Sequence, residues 1–148
     1  MSAAFRTTRL VEFSDTDMAG IVHFARFFVF MESAEHAFLR ACGLSVSMDW
    51  EGHKISFPRV SASCDYLKPV RFEDVLQISV QIEKLGRTSI TYAFDFHVQR
   101  GEELLRIARG QLTAVLCRVG GPGGLESMEI PAAIRAKLEQ GPTREKPA

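Results

Sequence analysis

The chain has 148 residues, a length that suits one domain and that buries enough surface to fold without disulfides or structural metals. Hydrophobic residues make up 46% and charged residues 24%, and 18 Lys and Arg balance 18 Asp and Glu. The lack of a basic excess excludes a nucleic-acid binder, and a net charge of zero permits self-association. Three widely spaced cysteines, Cys42, Cys64 and Cys117, form neither a disulfide framework nor a metal-binding spacing, which fits a reducing cytoplasm. Residues 1–10 show no secretory signal, and no apolar run reaches the roughly 18 residues of a membrane span.

Residues 5–13 are an extended run of mixed polarity and are expected to form the first strand. Ser14 to Gly20 (SDTDMAG) is rich in turn formers and is expected to be a loop. The spacing of Phe24, Phe27 or Phe28, Met31, Glu35 and Phe38 predicts a helix over 23–42, with Gly43 just past its end. Phe24, Phe27, Phe28, Val29, Phe30 and Met31 cover nearly the whole circumference of its first half, a pattern that calls for burial on all sides. Residues 46–54, with Trp50 and His53, are expected to be a loop, and 57–66 a strand. Leu76, Ile78, Val80 and Ile82 alternate with polar residues, as do Ile90, Tyr92, Phe94, Phe96 and Val98. Gly86-Arg87 and Arg100-Gly101-Glu102 mark turns, and 104–117 is a last long strand. Residues 120–124 (GGPGG) look like a flexible break, 130–139 a short helix with Pro131 near its first position, and 141–148 a disordered tail. Residues 1–140 thus predict a single α+β domain, a curved antiparallel sheet wrapped around one long buried helix. The open edges of so small a sheet point to dimerisation.

The segment richest in chemistry runs from Glu12 to Phe24. Two carboxylates, Asp15 and Asp17, sit in a loop that leads into the helix. A helix start offers free N–H groups and the positive end of a dipole, which can stabilise an oxyanion, and a carboxylate beside it can serve as nucleophile or general base. Asp at a helix start also commonly caps it, so the pattern alone leaves both roles open.

The run Phe13-Ser14-Asp15-Thr16-Asp17-Met18-Ala19-Gly20-Ile21-Val22 resembles the signature of the hotdog-fold 4-hydroxybenzoyl-CoA thioesterase family. The similarity continues at Phe27, Met31 and Glu32, at Tyr66-Leu67-Lys68-Pro69-Val70, at Asp74-Val75-Leu76 and at Leu85-Gly86-Arg87-Thr88-Ser89, and spans residues 5–140. The resemblance implies a hotdog fold and hydrolysis of an acyl-CoA thioester to a carboxylate and CoA. Asp17 is then the catalytic carboxylate, as nucleophile or as general base. Gly20 is the glycine of the turn near the thioester, and the backbone N–H groups of His23 and Phe24 bind the oxyanion. Asp15 is assigned to ordering the loop. The histidine that some relatives carry stands one position later than His23, so its role is not transferred, and a partly buried packing role is preferred for the His23 side chain. Phe27 stands where relatives often have tyrosine. Glu32 and Glu35 take structural roles. CoA phosphates would meet basic residues at the dimer surface, with Arg87 preferred and Arg59 as a second candidate, from a supply that includes Lys68, Arg71 and Lys84.

The resemblance also implies a homodimer, with further assembly into a tetramer. No metal or cofactor is expected, because His23, His36, His53 and His97 have no ligand spacing with the cysteines and coenzyme A is part of the substrate. The rival readings are a thioesterase acting on acyl carrier protein and a non-catalytic module that binds acyl-CoA. The identity of the acyl group stays open.

Overall fold

The computed structural model describes residues 4–143, so the part of the expected tail at 144–148 lies outside the described residues. The strands are β1 Phe5–Leu10, β2 Ser47–Trp50, β3 His53–Ser56, β4 Arg59–Tyr66, β5 Val75–Leu85, β6 Ser89–Arg100, β7 Glu103–Val115, β8 Cys117–Gly121 and β9 Gly124–Ser127. The helices are α1 Arg26–Ala41 and α2 Ala132–Gln140. The main sheet is antiparallel with the order β1-β5-β6-β7-β4, and β2-β3-β8-β9 form a second, smaller sheet.

Period-two alternation builds the inner face of the main sheet. Leu76, Ile78 and Val80 of β5, and Ile90, Tyr92, Phe94, Phe96 and Val98 of β6, are all buried. Shifts in register after Arg59, Ile82 and Phe96 mark bulges, which strengthen the twist and let the sheet curl toward α1. The last of these explains why Ile107 and Ala108, neighbours in β7, are both buried. On α1 the buried residues are Phe27, Phe30, Met31, Ala34, Glu35, Phe38 and Leu39, one stripe of helical period. Met31 lies so close to β7 that a Cβ on Gly110 would collide with its sulfur. The helix ends at Gly43, whose φ of +78° suits glycine, with the Leu44 N–H closing back onto the Leu39 carbonyl.

Three expectations change. Burial of α1 is one-sided within the chain: Phe28 is half-buried and Val29 exposed, because the sheet covers a single face. Residues 46–54 are no loop but carry the β2–β3 hairpin, closed by Glu51 and Gly52 with φ of +48° and +80°, the two-residue turn that matches strand twist. The glycine-rich 120–124 is the turn of the β8–β9 hairpin. At the tail, Thr143 is held by hydrogen bonds from its N–H and its hydroxyl to the Ala41 carbonyl. Cys42, Cys64 and Cys117 are free thiols, and among the described residues no helix is long and apolar enough to cross a membrane.

Arg59 does not take the position expected of a CoA contact. Its guanidinium turns inward to pair with Glu35 and to donate to the Phe57 carbonyl at 2.5 Å, and it lies 3.3 Å from Nε2 of His36. A carboxylate buried without compensation is costly, so Glu35 at the middle of α1 captures the nearest cation. The pair is incompletely satisfied: Glu35 Oε2, Arg59 Nε and the nearby Tyr92 hydroxyl make no hydrogen bond among the described residues. Burial pushes the Glu35 carboxyl up to about 7, with the Arg59 guanidinium opposing. Ionising Glu35 therefore costs more in the folded than in the unfolded chain. Its contribution to stability is full below its ordinary value of 4.5 and is lost as pH rises through about 7. Glu35→Gln removes that titration. The unfolding free energy of the wild type relative to Glu35→Gln is expected to fall by roughly 1–3 kcal/mol between pH 4.5 and pH 8, measured by urea unfolding at each pH. A difference that stays level across this range would mean that Glu35 does not titrate inside the fold.

Candidate active site

The chain leaves β1 through a short 3-10 turn, Phe13–Asp15, and reaches α1 through a tight hairpin-like loop. Asp15 organises this passage. It is wholly buried and accepts hydrogen bonds from Nε of Arg26 at 2.8 Å and from the Glu12 N–H at 2.9 Å. Nη2 of Arg26 lies 2.7 Å from the same carboxylate. The Asp15 carbonyl accepts the N–H of His23 at 2.9 Å. One residue thus ties the end of β1 to the first turn of α1.

Asp17 sits at the first position of a turn. Its carbonyl accepts the Gly20 N–H, its Oδ1 accepts the Ala19 N–H at 2.8 Å, and its own N–H donates to the Ile21 carbonyl. This is an Asp side chain closing a turn two residues ahead, followed by a glycine in the left-handed region. Gly20 has φ of +79°, and a Cβ there would meet nothing within 4 Å, so the dihedral and not a lack of room calls for glycine. Asp17 Oδ2 has no partner among the described residues.

Asp17 lines a cleft of about 320 Å³ together with Ile21, Val22, Phe24, Phe27 and the segment Tyr66, Leu67, Lys68, Pro69 and Val70. The walls are mainly apolar and carry three aromatic rings. The Phe27 ring meets those of Tyr66, Phe96 and Phe30 edge-on, with centroids 5.2, 5.4 and 5.8 Å away. The second wall, Tyr66 to Val70, is a segment that the sequence marks by its resemblance to the family but to which it assigns no cleft-lining role. What makes it part of the site is the Val22 N–H donating to the Val70 carbonyl at 2.7 Å and the Ile21–Arg71 bridge, both long-range.

The expected oxyanion site is corrected. The helix begins at Arg26, three residues later than the spacing predicts, and the His23 N–H is already spent on Asp15. Phe24 keeps an N–H with no acceptor among the described residues. The His23 side chain is exposed and not partly buried. It stacks on the Phe24 ring at 4.7 Å, and its Nδ1 accepts the Ala25 N–H at 3.2 Å, which closes the turn just before the helix. Arg87 is exposed in the β5–β6 turn, 4.0 Å from Glu129, and ten strand steps separate Val75 at the Asp17 end of β5 from Leu85, roughly 33 Å. The structure therefore does not bring Arg87 to Asp17 within one chain, whereas Lys68 already lines the cleft.

The Thioesterase superfamily model matches residues 19–105, more than half of the chain. The chain is 33% identical to a putative esterase of Aquifex aeolicus over 58% of its own length and 66% of that protein. It is 35% identical to a 1,4-dihydroxy-2-naphthoyl-CoA hydrolase of Nostoc punctiforme over 60% of its length and 62% of that protein. It thus spans slightly under two thirds of these relatives. The structure of a 4-hydroxybenzoyl-CoA thioesterase from Pseudomonas sp. strain CBS-3 has a TM-score of 0.78 at 21% identity, covering 92% of this chain and 99% of the other, which bears on the fold alone. A gentisyl-coenzyme A thioesterase has a TM-score of 0.74 at 28% identity, covering 88% and 99%. The hotdog arrangement expected from the sequence is the one the chain adopts.

Asp15 anchors the loop without lining the cleft, so its loss should register in stability. Asp15→Asn keeps the shape but weakens the bond to a one-third-exposed Arg26, and a destabilisation of roughly 1–3 kcal/mol in chemical unfolding is expected. Unchanged stability would show that the loop is held by its backbone bonds alone.

Proposed function

The chain belongs to the thioesterase superfamily, and we propose that it is an acyl-CoA thioesterase that converts an acyl-CoA and water to a carboxylate and CoA. The observation that carries this reading is the meeting, in one apolar cleft, of the unpartnered Asp17 Oδ2 with Phe24, whose N–H is free near the start of α1. The carboxylate oxygen is the group that attacks the thioester carbonyl or takes a proton from water. The free N–H near a helix start is the group that receives the negative charge developing on the carbonyl oxygen. Gly20 serves by letting the Asp17 turn close. No cofactor is needed, since coenzyme A arrives with the substrate.

An aromatic acyl group suits the site best. Phe24, Phe27 and Tyr66 offer ring faces and edges beside Asp17, and the similar proteins named above include hydrolases of dihydroxynaphthoyl and gentisyl thioesters. Lys68 is the cation placed to meet a phosphate of CoA at the mouth, ahead of Arg59, which Glu35 holds inside the fold.

A second copy is proposed along β4. This strand is an edge of the main sheet, and its backbone groups on one side have no ladder partner among the described residues. Antiparallel pairing of two β4 strands would continue the sheet and invert the partner, bringing the partner's Gly86–Thr88 turn to the end that holds Asp17. Arg87 would then serve the other subunit's substrate, and a tetramer would follow from pairing of such dimers.

A panel of aryl and straight-chain acyl-CoA thioesters, read by release of free thiol, tests the activity. Asp17→Asn should lower kcat on the order of 10²-fold or more with folding intact, as for removal of a nucleophile or general base. If Glu32→Gln or Glu35→Gln abolished turnover while Asp17→Asn preserved it, the catalytic carboxylate would be on the helix instead. Sedimentation at micromolar concentration should show a dimer or tetramer, and a stable species of 16.5 kDa would remove the paired-edge arrangement.

A further inference from the structure

We propose that Tyr66 is a positioning residue for the hydrolysis: by donating its hydroxyl hydrogen to the Phe24 carbonyl, it holds the turn that presents the Phe24 N–H to the thioester oxygen. Tyr66 acquires this role only if the chain hydrolyses thioesters at Asp17, as proposed above. The hydroxyl lies 2.8 Å from the Phe24 carbonyl oxygen, 42 residues away in sequence.

In a regular helix the Phe24 carbonyl would accept the N–H four residues on. Here the Phe28 N–H goes to the Ala25 carbonyl at 3.2 Å, a tighter turn, and the Phe24 carbonyl is left for Tyr66. The Phe24 residue is exposed, and its ring is stacked only on His23, so its side chain does little to fix its backbone. What fixes it is the chain on either side: the His23 N–H on Asp15, the Ala25 N–H on His23, and the bond from Tyr66. Of these, the Tyr66 bond alone comes from the opposite wall of the cleft.

Tyr66 is itself well held. Its ring meets Phe27 edge-on at 5.2 Å, and the next two amides, Leu67 and Lys68, both donate to the Ile107 carbonyl at 2.9 and 3.1 Å. Tyr66 is the last residue of β4, so a rigid sheet strand, and not a loop, sets the position of the hydroxyl. Partial burial, together with the neighbouring Cys64, pushes the phenol up to about 12, so the group remains a donor across the range in which the enzyme could work.

Tyr66→Phe keeps the ring and its contact with Phe27 and removes only the donor. The expected result is a fall in kcat of about 10-fold or more for an aryl-CoA substrate, with 4-hydroxybenzoyl-CoA as first probe, KM within about threefold of wild type, and an unaltered pH dependence of kcat, because an interaction realised mainly in the transition state is weakened at every pH. Tyr66→Leu, which also removes the ring, separates the alternatives. If Tyr66→Phe retained full activity and only Tyr66→Leu lost it, Tyr66 would be a packing residue and the positioning role would be overturned. A rise in KM with unchanged kcat would overturn it as well, placing Tyr66 in substrate binding. Asp17→Asn, run in parallel, distinguishes the two levels. Inactive Asp17→Asn with fully active Tyr66→Phe refutes the role of Tyr66 alone, whereas undiminished Asp17→Asn, or no turnover of any thioester by the wild type, refutes the thioesterase reading on which it stands.

Discussion

A carboxylate withdrawn completely from water must be met by donors on every side, and Asp15 meets that demand with Arg26 and the Glu12 amide while its carbonyl takes the His23 amide. Those bonds join the end of β1, the loop and the first turn of α1 into one unit. The placement of Asp17 follows from it, because Asp17 lies between two chain segments that Asp15 holds in register. The result is a division of labour between neighbouring aspartates: the buried one spends both of its carboxylate oxygens on structure, and the partly exposed one keeps an oxygen without a partner among the described residues at the cleft.

The same accounting applies deeper in the fold, with a different balance. Glu35 is as buried as Asp15, but its partner Arg59 arrives from the start of β4 and leaves polar atoms on both residues without a partner among the described residues. Burial outweighs the guanidinium there and raises the carboxyl. Both ion pairs lie beside an apolar core that contains Phe30, Tyr92, Phe94 and Phe96. Each fixes where a particular segment meets α1: Asp15 the loop before the helix, Arg59 the first residue of the edge strand.

The edge strand β4 therefore carries more than backbone pairing. Arg59 at one end reaches the middle of α1, and Tyr66 at the other end reaches the Phe24 turn, so the strand grips the helix at two points about seven residues apart along its length. Its remaining residues are mostly exposed, and one side of its backbone has no strand partner among the described residues. A strand that is fixed at both ends and open along its flank suits a surface that both completes the cleft and accepts a second sheet.

The succession of the long strands along the chain and the single early helix were legible in the sequence, because alternation with period two and spacing near 3.6 follow directly from backbone geometry, whereas the one-sided burial of that helix was not. The Asp-Thr-Asp loop with Gly20 was legible too, since a turn closed by Asp and a left-handed glycine has a local cause. The small hairpins around Glu51-Gly52 and residues 120–124 were not, because each is too short to carry a period and is ordered by pairing with strands far away in the chain. Tertiary structure alone decided which amides stayed free. The His23 N–H is lost to Asp15 and the Phe24 N–H is spared by long-range and loop contacts that no local pattern encodes. It also decided the fate of the cations: Arg59 and Lys68 are both basic residues of one strand region, and only the position of Glu35 on the packed helix turns the first inward while the second stays at the cleft. Local sequence determines what a segment prefers to be. Which donor meets which acceptor depends on distances that exist only once the sheet has closed on the helix.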